Sequence, residues 1–177
     1  GNQLLINGKK IHLSQHEQPS DIPWAAYRVD VVIESTGKFK TSKELNYHIK
    51  NGAKQVILSV PPVGDDIKTI VIGVNDSSID GTEEIIANAS CTTNCLTPVL
   101  RVLEDVYGVE KASFTTIHST TASQNTIDTN NFKNRTSRSI LNNIIPHSTG
   151  ANKSVSVLIP TLKDKISGTS LRVPVNN

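Results

Sequence analysis

The amino-acid sequence predicts an α/β fold in two parts that meet near Ser90. Short β-branched apolar runs alternate with helical patterns in the first part, which is typical of a parallel sheet with crossover helices. From Cys91 onward, threonine-rich strand patterns follow an apolar helix and predict a second, sheet-containing part. The chain is 36% hydrophobic and 19% charged, an ordinary composition for a globular protein, so a sizeable core is possible.

The first part begins with a predicted hairpin and continues with buried strands. Asn7-Gly8 lies between two apolar runs and is a strong hairpin signal, because both residues can adopt positive φ. A short helical turn is predicted after Pro19. Residues 29–33 are almost continuously apolar, which predicts a strand buried on both faces. Further strands are predicted at residues 55–59, 69–73 and 84–87.

Two helices are predicted from their start signals and apolar spacing. Thr41-x-x-Glu44 is a capping box for a helix through Ile49, and Asn51-Gly52 is its stop signal. A second helix carries Cys91 at its head, and Pro98 lies early enough in it to be tolerated. Its apolar positions fall at helical spacing and predict one buried stripe: Leu96, Val99, Leu100, Leu103 and Val106.

The second part continues with strands, a long polar segment and one more helix. Residues 112–119 predict a strand with Phe114 and Ile117 in the core. Residues 120–143 are polar and lack periodicity, and a segment of this length is either functional or disordered. Strands are predicted at 144–146 and 166–173, with a helix between them from Ser148-Thr149-Gly150 to Leu158.

Charge and cysteine content exclude several classes of protein. The formal net charge is +2 with scattered basic residues, so no nucleic-acid partner is expected. Apolar runs fall far short of the roughly 20 residues of a membrane span, so no membrane association is expected. Two cysteines four positions apart build no secreted disulfide framework and are too few for a structural zinc site unless histidines join them. Reduced thiols, a cytoplasmic location and no metal are predicted.

Cys91 is the candidate nucleophile, because it lies where an apolar strand pattern gives way to a helical one. A thiol in the first turn of a helix is close to unpaired backbone N–H groups and to the positive end of the macrodipole. Both favour the thiolate, which is the reactive form. The alternative is that Cys91 is only a small buried apolar residue, as free cysteines commonly are.

The residues around Cys91 carry a family resemblance. Ser90-Cys91-Thr92-Thr93-Asn94-Cys95 matches, letter for letter, the active-site signature of phosphorylating glyceraldehyde-3-phosphate dehydrogenases. The chain resembles this family over essentially its whole length. The matching motifs occur in the same order: Glu34-Ser35-Thr36-Gly37, Gly73-Val74-Asn75, Thr115-Thr116-Ile117-His118, Ile144-Ile145-Pro146, Ser148-Thr149-Gly150-Ala151 and Arg172-Val173-Pro174.

The resemblance implies a division into domains. Residues 1–90 would be the second half of a Rossmann-type NAD-binding domain, and residues 91–177 part of an α+β catalytic domain. Gly-x-Gly-x-x-Gly occurs nowhere in the sequence. We therefore expect an internal fragment whose phosphate-binding turn lies before Gly1, and we expect these 177 residues alone to be inactive and to bind no NAD at micromolar concentration.

The implied reaction is the NAD-dependent oxidative phosphorylation of glyceraldehyde 3-phosphate to 1,3-bisphosphoglycerate in glycolysis, through a cysteine thioester. NADP remains open as a cofactor, and the family implies a homotetramer. The implied catalytic residues are Cys91 and His118. Substrate and inorganic phosphate are implied to bind Ser90, Thr92, Thr121, Thr149, Gly150 and Arg172. One wall of the cofactor pocket is implied to consist of Ser35, Thr36, Gly37 and Ser59.

Several alternatives stay open at the sequence level. Erythrose-4-phosphate dehydrogenases share the Cys and His signatures, and a cysteine hydrolase would also pair these residues. A degenerate, non-catalytic homologue acting as a binding protein is suggested by Glu17, where the family has a cofactor-contacting arginine, and by His147, where a small residue is common. Arg135 and Arg138 either help to bind anions or are solvated surface residues.

Overall fold

The computed structural model describes residues 3–130 and 135–175. The chain divides into two units. The first comprises Gly1–Thr69 and Ile79–Asn88, and the second comprises Ile70–Ser78 and Ala89–Asn177. The predicted mixed α/β class with a parallel sheet is confirmed, since each unit contains a sheet with parallel strand pairs and helices packed beside it.

The first unit is built on a four-stranded parallel sheet. Its strands are β3 (Val31–Glu34), β4 (Gln55–Leu58), β5 (Lys68–Thr69) and β6 (Ile85–Ala87), in the order β3-β4-β6-β5. Helix α2 (Ser42–Lys50) connects β3 to β4. The buried side chains between sheet and helix form the core of this unit: Val32, Leu45, Val56, Leu58 and Ala87.

The predicted hairpin and helical turn are confirmed. Strands β1 (Gln3–Ile6) and β2 (Lys9–His12) pair antiparallel around Asn7 and Gly8, with φ values of 49° and 77°. A 3-10 turn occupies Pro19–Asp21, and the short helix α1 (Trp24–Tyr27) follows. The hairpin is exposed along both strands.

Helix α2 begins and ends where its sequence signals predict. The Thr41 hydroxyl accepts a hydrogen bond from Glu44 N, and Glu44 Oε2 in turn accepts one from Thr41 N at 3.0 Å. These reciprocal bonds satisfy N–H groups that the helix itself leaves unpaired. Gly52, two residues after the helix, has φ of 103°, a conformation that favours glycine.

Two strand predictions in this region are wrong. Strand β3 is buried on one face only, because α2 covers Val32 and Glu34, whereas Ile33 points to the other face and is 66% exposed. The strand predicted at 69–73 stops at Thr69. The chain then turns, since Asn75 Oδ1 accepts a hydrogen bond from Val71 N at 2.8 Å, and Gly73 has φ of 78°.

The second unit contains a three-stranded mixed sheet and two helices. Helix α3 (Cys91–Tyr107) is followed by β7 (Ala112–Ser119), β8 (Ile145–His147), α4 (Ala151–Leu158) and β9 (Ile166–Val173). The sheet order is β7-β9-β8, with β7 parallel and β8 antiparallel to β9. Strands β7 and β9 begin and end at the residues that the sequence predicts, so these two strand predictions are confirmed. The core includes Val71, Leu100, Val155, Ile159 and Leu162.

The predicted burial of α3 and β7 is partly wrong. On α3, Leu100 is buried together with Thr93 and Thr97, whereas Val99 and Leu103 are exposed and Val106 is 62% exposed. On β7, Phe114 is half-buried but Ile117 is 70% exposed. Phe114 and Ile117 are three residues apart, and a strand places such residues on opposite faces, so they could not both face the same core.

The long polar segment after β7 is organised by side-chain hydrogen bonds. Asp128 binds the Arg138 guanidinium at 2.6 Å and accepts a second bond from Ser139 N at 2.8 Å. Arg135–Ser137 forms a 3-10 turn, and Ile140 is buried. Residues 131–134 of the segment lie outside the described residues. Where the chain is described, no helix combines the length and apolar character needed to cross a bilayer.

Candidate active site

The backbone turns sharply just before Cys91. Ala89 is buried with φ of 57°, in a left-handed region where residues other than glycine are strained. Ser90 is extended and is the N-cap of α3, with its Oγ accepting a hydrogen bond from Thr93 N at 3.2 Å. This combination starts the helix at Cys91 and leaves the thiol exposed in its first turn.

Cys91 and His118 are in contact. Cys91 Sγ lies 3.4 Å from His118 Nε2, within hydrogen-bond distance for sulfur. Cys95 is also free and exposed, but it lies one helical turn further into α3. The thiol that is nearest the helix N-terminus is therefore also the one paired with an imidazole.

The parallel pairing of β7 and β9 places Arg172 directly beside His118. These two residues are register partners, and Arg172 Nη1 lies 2.7 Å from His118 Nδ1. The same nitrogen donates to the Ser119 carbonyl at 3.1 Å and is 3.5 Å from Thr121 Oγ1. Strand pairing therefore joins Arg172 to His118 and Thr121, and the contact of Cys91 with His118 adds the thiol to this group.

The partners of His118 assign its tautomer. A guanidinium can only donate hydrogen bonds, so the 2.7 Å contact requires a lone pair on Nδ1. The Ser119 carbonyl is 2.8 Å from the same nitrogen and also accepts a hydrogen bond from Arg172. The remaining proton is then on Nε2, which donates toward Cys91 Sγ.

Arg172 has donor capacity left for a ligand. Its Nε is buried and has no hydrogen-bond partner in the described part of the chain. An unpaired buried donor is costly, by about 1 to 3 kcal/mol, and such groups call for an explanation. An anionic ligand with acceptor oxygens would supply the missing partner, and a planar guanidinium is well suited to a phosphate group.

The other predicted anion-binding residues lie on three segments of the second unit. Ser90 and Thr92 flank Cys91 in the chain, and the Ser90 hydroxyl is engaged in capping α3. The Thr121 hydroxyl bonds to Gln124 Oε1 at 3.0 Å. Thr149 and Gly150 immediately precede α4, where Thr149 Oγ1 accepts from Ala151 N at 3.2 Å. The hydrogen bonds described here are local, and Thr121 is the residue among these that also contacts Arg172.

The residues that depart from the family pattern lie outside this network of contacts. Glu17 is exposed between β2 and the first 3-10 turn. His147 is half-buried in β8, and its Nδ1 donates to the Ser148 carbonyl at 2.7 Å. Arg135 is exposed, and Arg138 is held by Asp128. None of the described residues forms a group of three or more His, Cys, Asp or Glu side chains suited to a metal ion.

The four predicted cofactor residues lie together in the first unit. Ser35, Thr36 and Gly37 follow β3, and Ser59 follows the neighbouring parallel strand β4. Ser59 N donates to the Glu34 carbonyl at 3.0 Å, which ties the two strand ends to each other. Ser35, Thr36 and Ser59 are exposed. Exposed small residues at the carboxyl edge of a parallel sheet fit the wall of a nucleotide pocket.

Comparison with known families agrees with this geometry. Residues 90–177 match the family model described as the glyceraldehyde 3-phosphate dehydrogenase C-terminal domain. Residues 1–42 match the model described as the NAD binding domain of the same enzyme. The chain belongs to the glyceraldehyde-3-phosphate dehydrogenase family. The family assignment that the sequence motifs suggested is thereby confirmed.

Relatives from bacteria and fungi match the chain from end to end. The glyceraldehyde-3-phosphate dehydrogenase of Clostridium pasteurianum is 45% identical over 174 residues, covering 97% of this chain and 52% of the relative. Glyceraldehyde-3-phosphate dehydrogenase 2 of Bacillus subtilis is 45% identical over 177 residues, covering 99% of the chain and 52% of the relative. The Ogataea parapolymorpha enzyme is 46% identical over 178 residues, covering 100% of this chain and 52% of the relative. The chain spans about half the length of these relatives.

Sequence reasoning missed two features of this dehydrogenase-family site. The contact between Arg172 and His118 depends on strand register. The one feature of the sequence that indicated it is that each residue is the seventh of an eight-residue strand pattern. The positive φ of Ala89 had no signal, because glycine or asparagine usually marks such a position.

Proposed function

We propose that the complete protein to which this chain belongs catalyses the NAD-dependent oxidative phosphorylation of glyceraldehyde 3-phosphate to 1,3-bisphosphoglycerate. The observation that carries the proposal is the 3.4 Å contact of Cys91 Sγ with His118 Nε2, with Arg172 on the far side of the imidazole. Covalent oxidation of an aldehyde needs a thiolate and a donor for the resulting oxyanion, and these three side chains supply both.

In the first step, the Cys91 thiolate adds to the aldehyde carbon and the carbonyl oxygen becomes an alkoxide. His118 Nε2–H, which points toward Cys91, donates a hydrogen bond to that oxygen and stabilises its charge. Because Arg172 occupies the other ring nitrogen, the donating tautomer is fixed before the substrate arrives. The positive charge of Arg172 also offsets the negative charge of the intermediate.

In the second step, the hydrogen on the former aldehyde carbon leaves as a hydride, and a thioester to Cys91 remains. NAD, when bound, supplies the hydride acceptor. Ser35, Thr36, Gly37 and Ser59 would form one wall of its pocket, and NADP stays open as an alternative. The contribution of the chain here is to hold the carbon in place through the Cys91–carbon bond while the hydride departs.

In the third step, an oxygen of inorganic phosphate attacks the thioester carbon, the bond to Cys91 Sγ breaks, and the products are an acyl phosphate and the regenerated thiolate. Anion binding here is supported by Arg172 Nε, a buried donor with no hydrogen-bond partner among the residues that the structure describes, and Thr121 lies beside the same guanidinium. Ser90, Thr92, Thr149 and Gly150 are proposed to complete the sites for the substrate phosphate and for inorganic phosphate. The start of a helix favours anions at Thr149 and Gly150.

We also propose that residues 1–90 act in cofactor binding and residues 91–177 in catalysis, within a cytoplasmic homotetramer. Two free cysteines fit a reducing compartment. Large apolar side chains on the second unit fit subunit contacts, because monomers rarely expose many of them: Ile117, Ile127, Leu141 and Ile144. Sedimentation of the protein expressed from its complete coding sequence tests the assembly, and a monomer at micromolar concentration would contradict it.

The function is tested by following absorbance of the reduced cofactor with that complete protein. We expect oxidation of glyceraldehyde 3-phosphate that requires NAD, requires phosphate and is abolished by Cys91→Ser. Faster turnover of erythrose 4-phosphate would reassign the substrate. Binding of NAD without any oxidation would instead favour the non-catalytic alternative.

A further inference from the structure

Three side chains form a hydrogen-bonded chain in the first unit, in which the carboxyl and the imidazole are buried and the indole is half-buried. Trp24 Nε1 lies 3.0 Å from His48 Nδ1, and His48 Nε2 lies 3.2 Å from Glu34 Oε2. Glu34 is 4% exposed and His48 is 2% exposed. The proposed chemistry of Cys91 uses none of these groups, and a buried carboxyl and imidazole are costly unless each is well paired.

The partners assign every proton in the chain. The indole nitrogen of Trp24 can only donate, so His48 Nδ1 accepts and has no proton. His48 therefore carries its proton on Nε2 and donates to Glu34 Oε2. The other carboxyl oxygen, Oε1, faces the backbone N–H of Thr36 at 2.8 Å and the Thr36 hydroxyl at 2.5 Å. All three neighbours donate to Glu34, which fits the acceptor-only carboxylate form.

This arrangement determines what the Thr36 hydroxyl can offer a ligand. Its proton is committed to Glu34, and one of its lone pairs accepts from Lys38 N at 3.2 Å. The remaining lone pair on this exposed residue can only accept a hydrogen bond. Thr36 therefore suits a hydroxyl or amine of a nucleotide and not a phosphate oxygen, which has no proton to donate.

We propose that Glu34, oriented by His48, is a positioning residue that fixes Thr36 as a hydrogen-bond acceptor for a hydroxyl or amine group of the bound dinucleotide. This inference rests on the proposed function, because that function makes the edge containing Ser35, Thr36 and Gly37 a cofactor wall. Trp24 belongs to the same chain of hydrogen bonds, since it holds His48 in the donating tautomer.

The test is calorimetric titration of NAD into the protein expressed from its complete coding sequence. His48→Leu removes the donor to Glu34, and we expect the Kd for NAD to rise about tenfold, in the range of one charge-assisted hydrogen bond. His48→Gln retains an N–H donor and should restore much of the affinity. Leu45→Ala is the matched control, because Leu45 is a fully buried residue of the same helix that belongs to the packed core. It should lower the Tm without weakening NAD binding.

A double variant separates positioning from general loss of stability. If His48 acts through Thr36, His48→Leu combined with Thr36→Val should bind NAD no more weakly than Thr36→Val alone. Additive losses would overturn the proposal. So would an unchanged Kd in His48→Leu, or an equal loss in Leu45→Ala. A wild-type protein that binds no NAD would refute the proposed function itself, and that result is seen before any variant is compared.

The emission of Trp24 gives a readout that does not depend on NAD or on a foldable His48 variant. Trp24 is the single tryptophan among the 177 residues, and a Trp24→Phe blank isolates its signal. Thr36 is exposed, so Thr36→Val should fold, yet it removes a donor from Glu34 at the other end of the chain. We expect the Trp24 emission to shift in Thr36→Val and to be retained in Thr36→Ser. Identical spectra for Thr36→Val and wild type would overturn the proposal.

Discussion

Arg172 and His118 are register partners on two parallel strands, and Arg172 Nη1 lies 2.7 Å from His118 Nδ1. The guanidinium is thereby divided between two tasks. We propose that Nη1 orients the imidazole and that Nε, which is buried and has no hydrogen-bond partner among the described residues, binds an anion. In this proposal, one side chain serves both catalytic orientation and phosphate binding.

Replacement of Arg172 should affect both tasks. Arg172→Lys keeps a positive charge but has a single nitrogen, which cannot contact His118 and a phosphate in the same geometry. We expect the KM for glyceraldehyde 3-phosphate to rise about tenfold in Arg172→Lys and about a hundredfold in Arg172→Gln, with a lower kcat in both. Steady-state kinetics of the complete protein checks this. A lysine variant with wild-type KM and kcat would contradict the shared role.

Cys91 should be alkylated much faster than Cys95. Both thiols are free and exposed, so access to the reagent does not distinguish them. Cys91 lies in the first turn of α3 and contacts His118, whereas Cys95 is one turn away from the unpaired amides. At pH 7 we expect at least about a tenfold difference in the rate with iodoacetamide.

Peptide mass spectrometry measures the two labelling rates separately in one sample. Cys95→Ser should keep the fast phase, and Cys91→Ser should remove it. Equal rates at the two cysteines in the wild-type protein would contradict the proposed activation of Cys91.

Ala89 should tolerate glycine but not valine. In Ala89→Gly, removal of the strain of the left-handed backbone stabilises the folded protein by about 1 kcal/mol. Loss of one buried methyl group destabilises it by about 0.8 kcal/mol. The free energy of unfolding should therefore change by less than about 1 kcal/mol. Ala89→Val places a β-branched side chain at a buried position with φ of 57°. It should lower the free energy of unfolding by about 2 to 4 kcal/mol. Urea denaturation checks both values, and a stable valine variant would show that Ala89 is not strained.

The capping box of α2 should make stability depend on pH. Hydrogen bonds from the Thr41 hydroxyl and from the backbone N–H groups of Thr41 and Lys40 hold the pKa of Glu44 below its ordinary value of 4.5. A lowered pKa in the folded state stabilises the protein above the unfolded pKa, and this contribution is lost as the pH falls through the folded pKa. The difference in unfolding free energy between wild type and Glu44→Gln should be constant above about pH 5 and shrink below it.

Urea denaturation at a series of pH values measures this difference. Thr41→Val removes the hydroxyl on the other side of the capping box and should lower the free energy of unfolding by about 1 kcal/mol at pH 7. A difference that stays constant from about pH 3 to pH 7 would show that Glu44 contributes through packing and not through its charge.

The sequence predicts local features of this fold well. Asn7-Gly8, the Thr41 capping box and the bounds of β7 and β9 follow from turn chemistry, caps and short-range patterns. Burial was harder to predict, because it depends on what covers each face. The exposure of Ile33, Val106 and Ile117 shows that an apolar pattern marks a surface able to pack and does not say whether anything in the described chain packs there.

The same distinction between local patterns and tertiary packing applies to the candidate site. Cys91 and His118 are recognisable from motifs, but their 3.4 Å contact is a tertiary one between a helix and a strand. The place of Arg172 depends on strand pairing between residues more than 50 positions apart. The hydrogen-bonded chain of Glu34, His48 and Trp24 is likewise a product of tertiary packing. His48 had no motif of its own, and only the structure shows that it lies against the carboxylate of the Glu34-Ser35-Thr36-Gly37 segment.

The most direct test of the account is to trap the covalent intermediate. The complete protein is mixed with glyceraldehyde 3-phosphate and NAD in the absence of inorganic phosphate, and its peptides are examined by mass spectrometry. We predict an acyl group in thioester linkage to Cys91, absent in Cys91→Ser, formed slowly in His118→Asn and discharged as an acyl phosphate when phosphate is added. An acyl group on Cys95, or oxidation of the aldehyde without any adduct on Cys91, would contradict it.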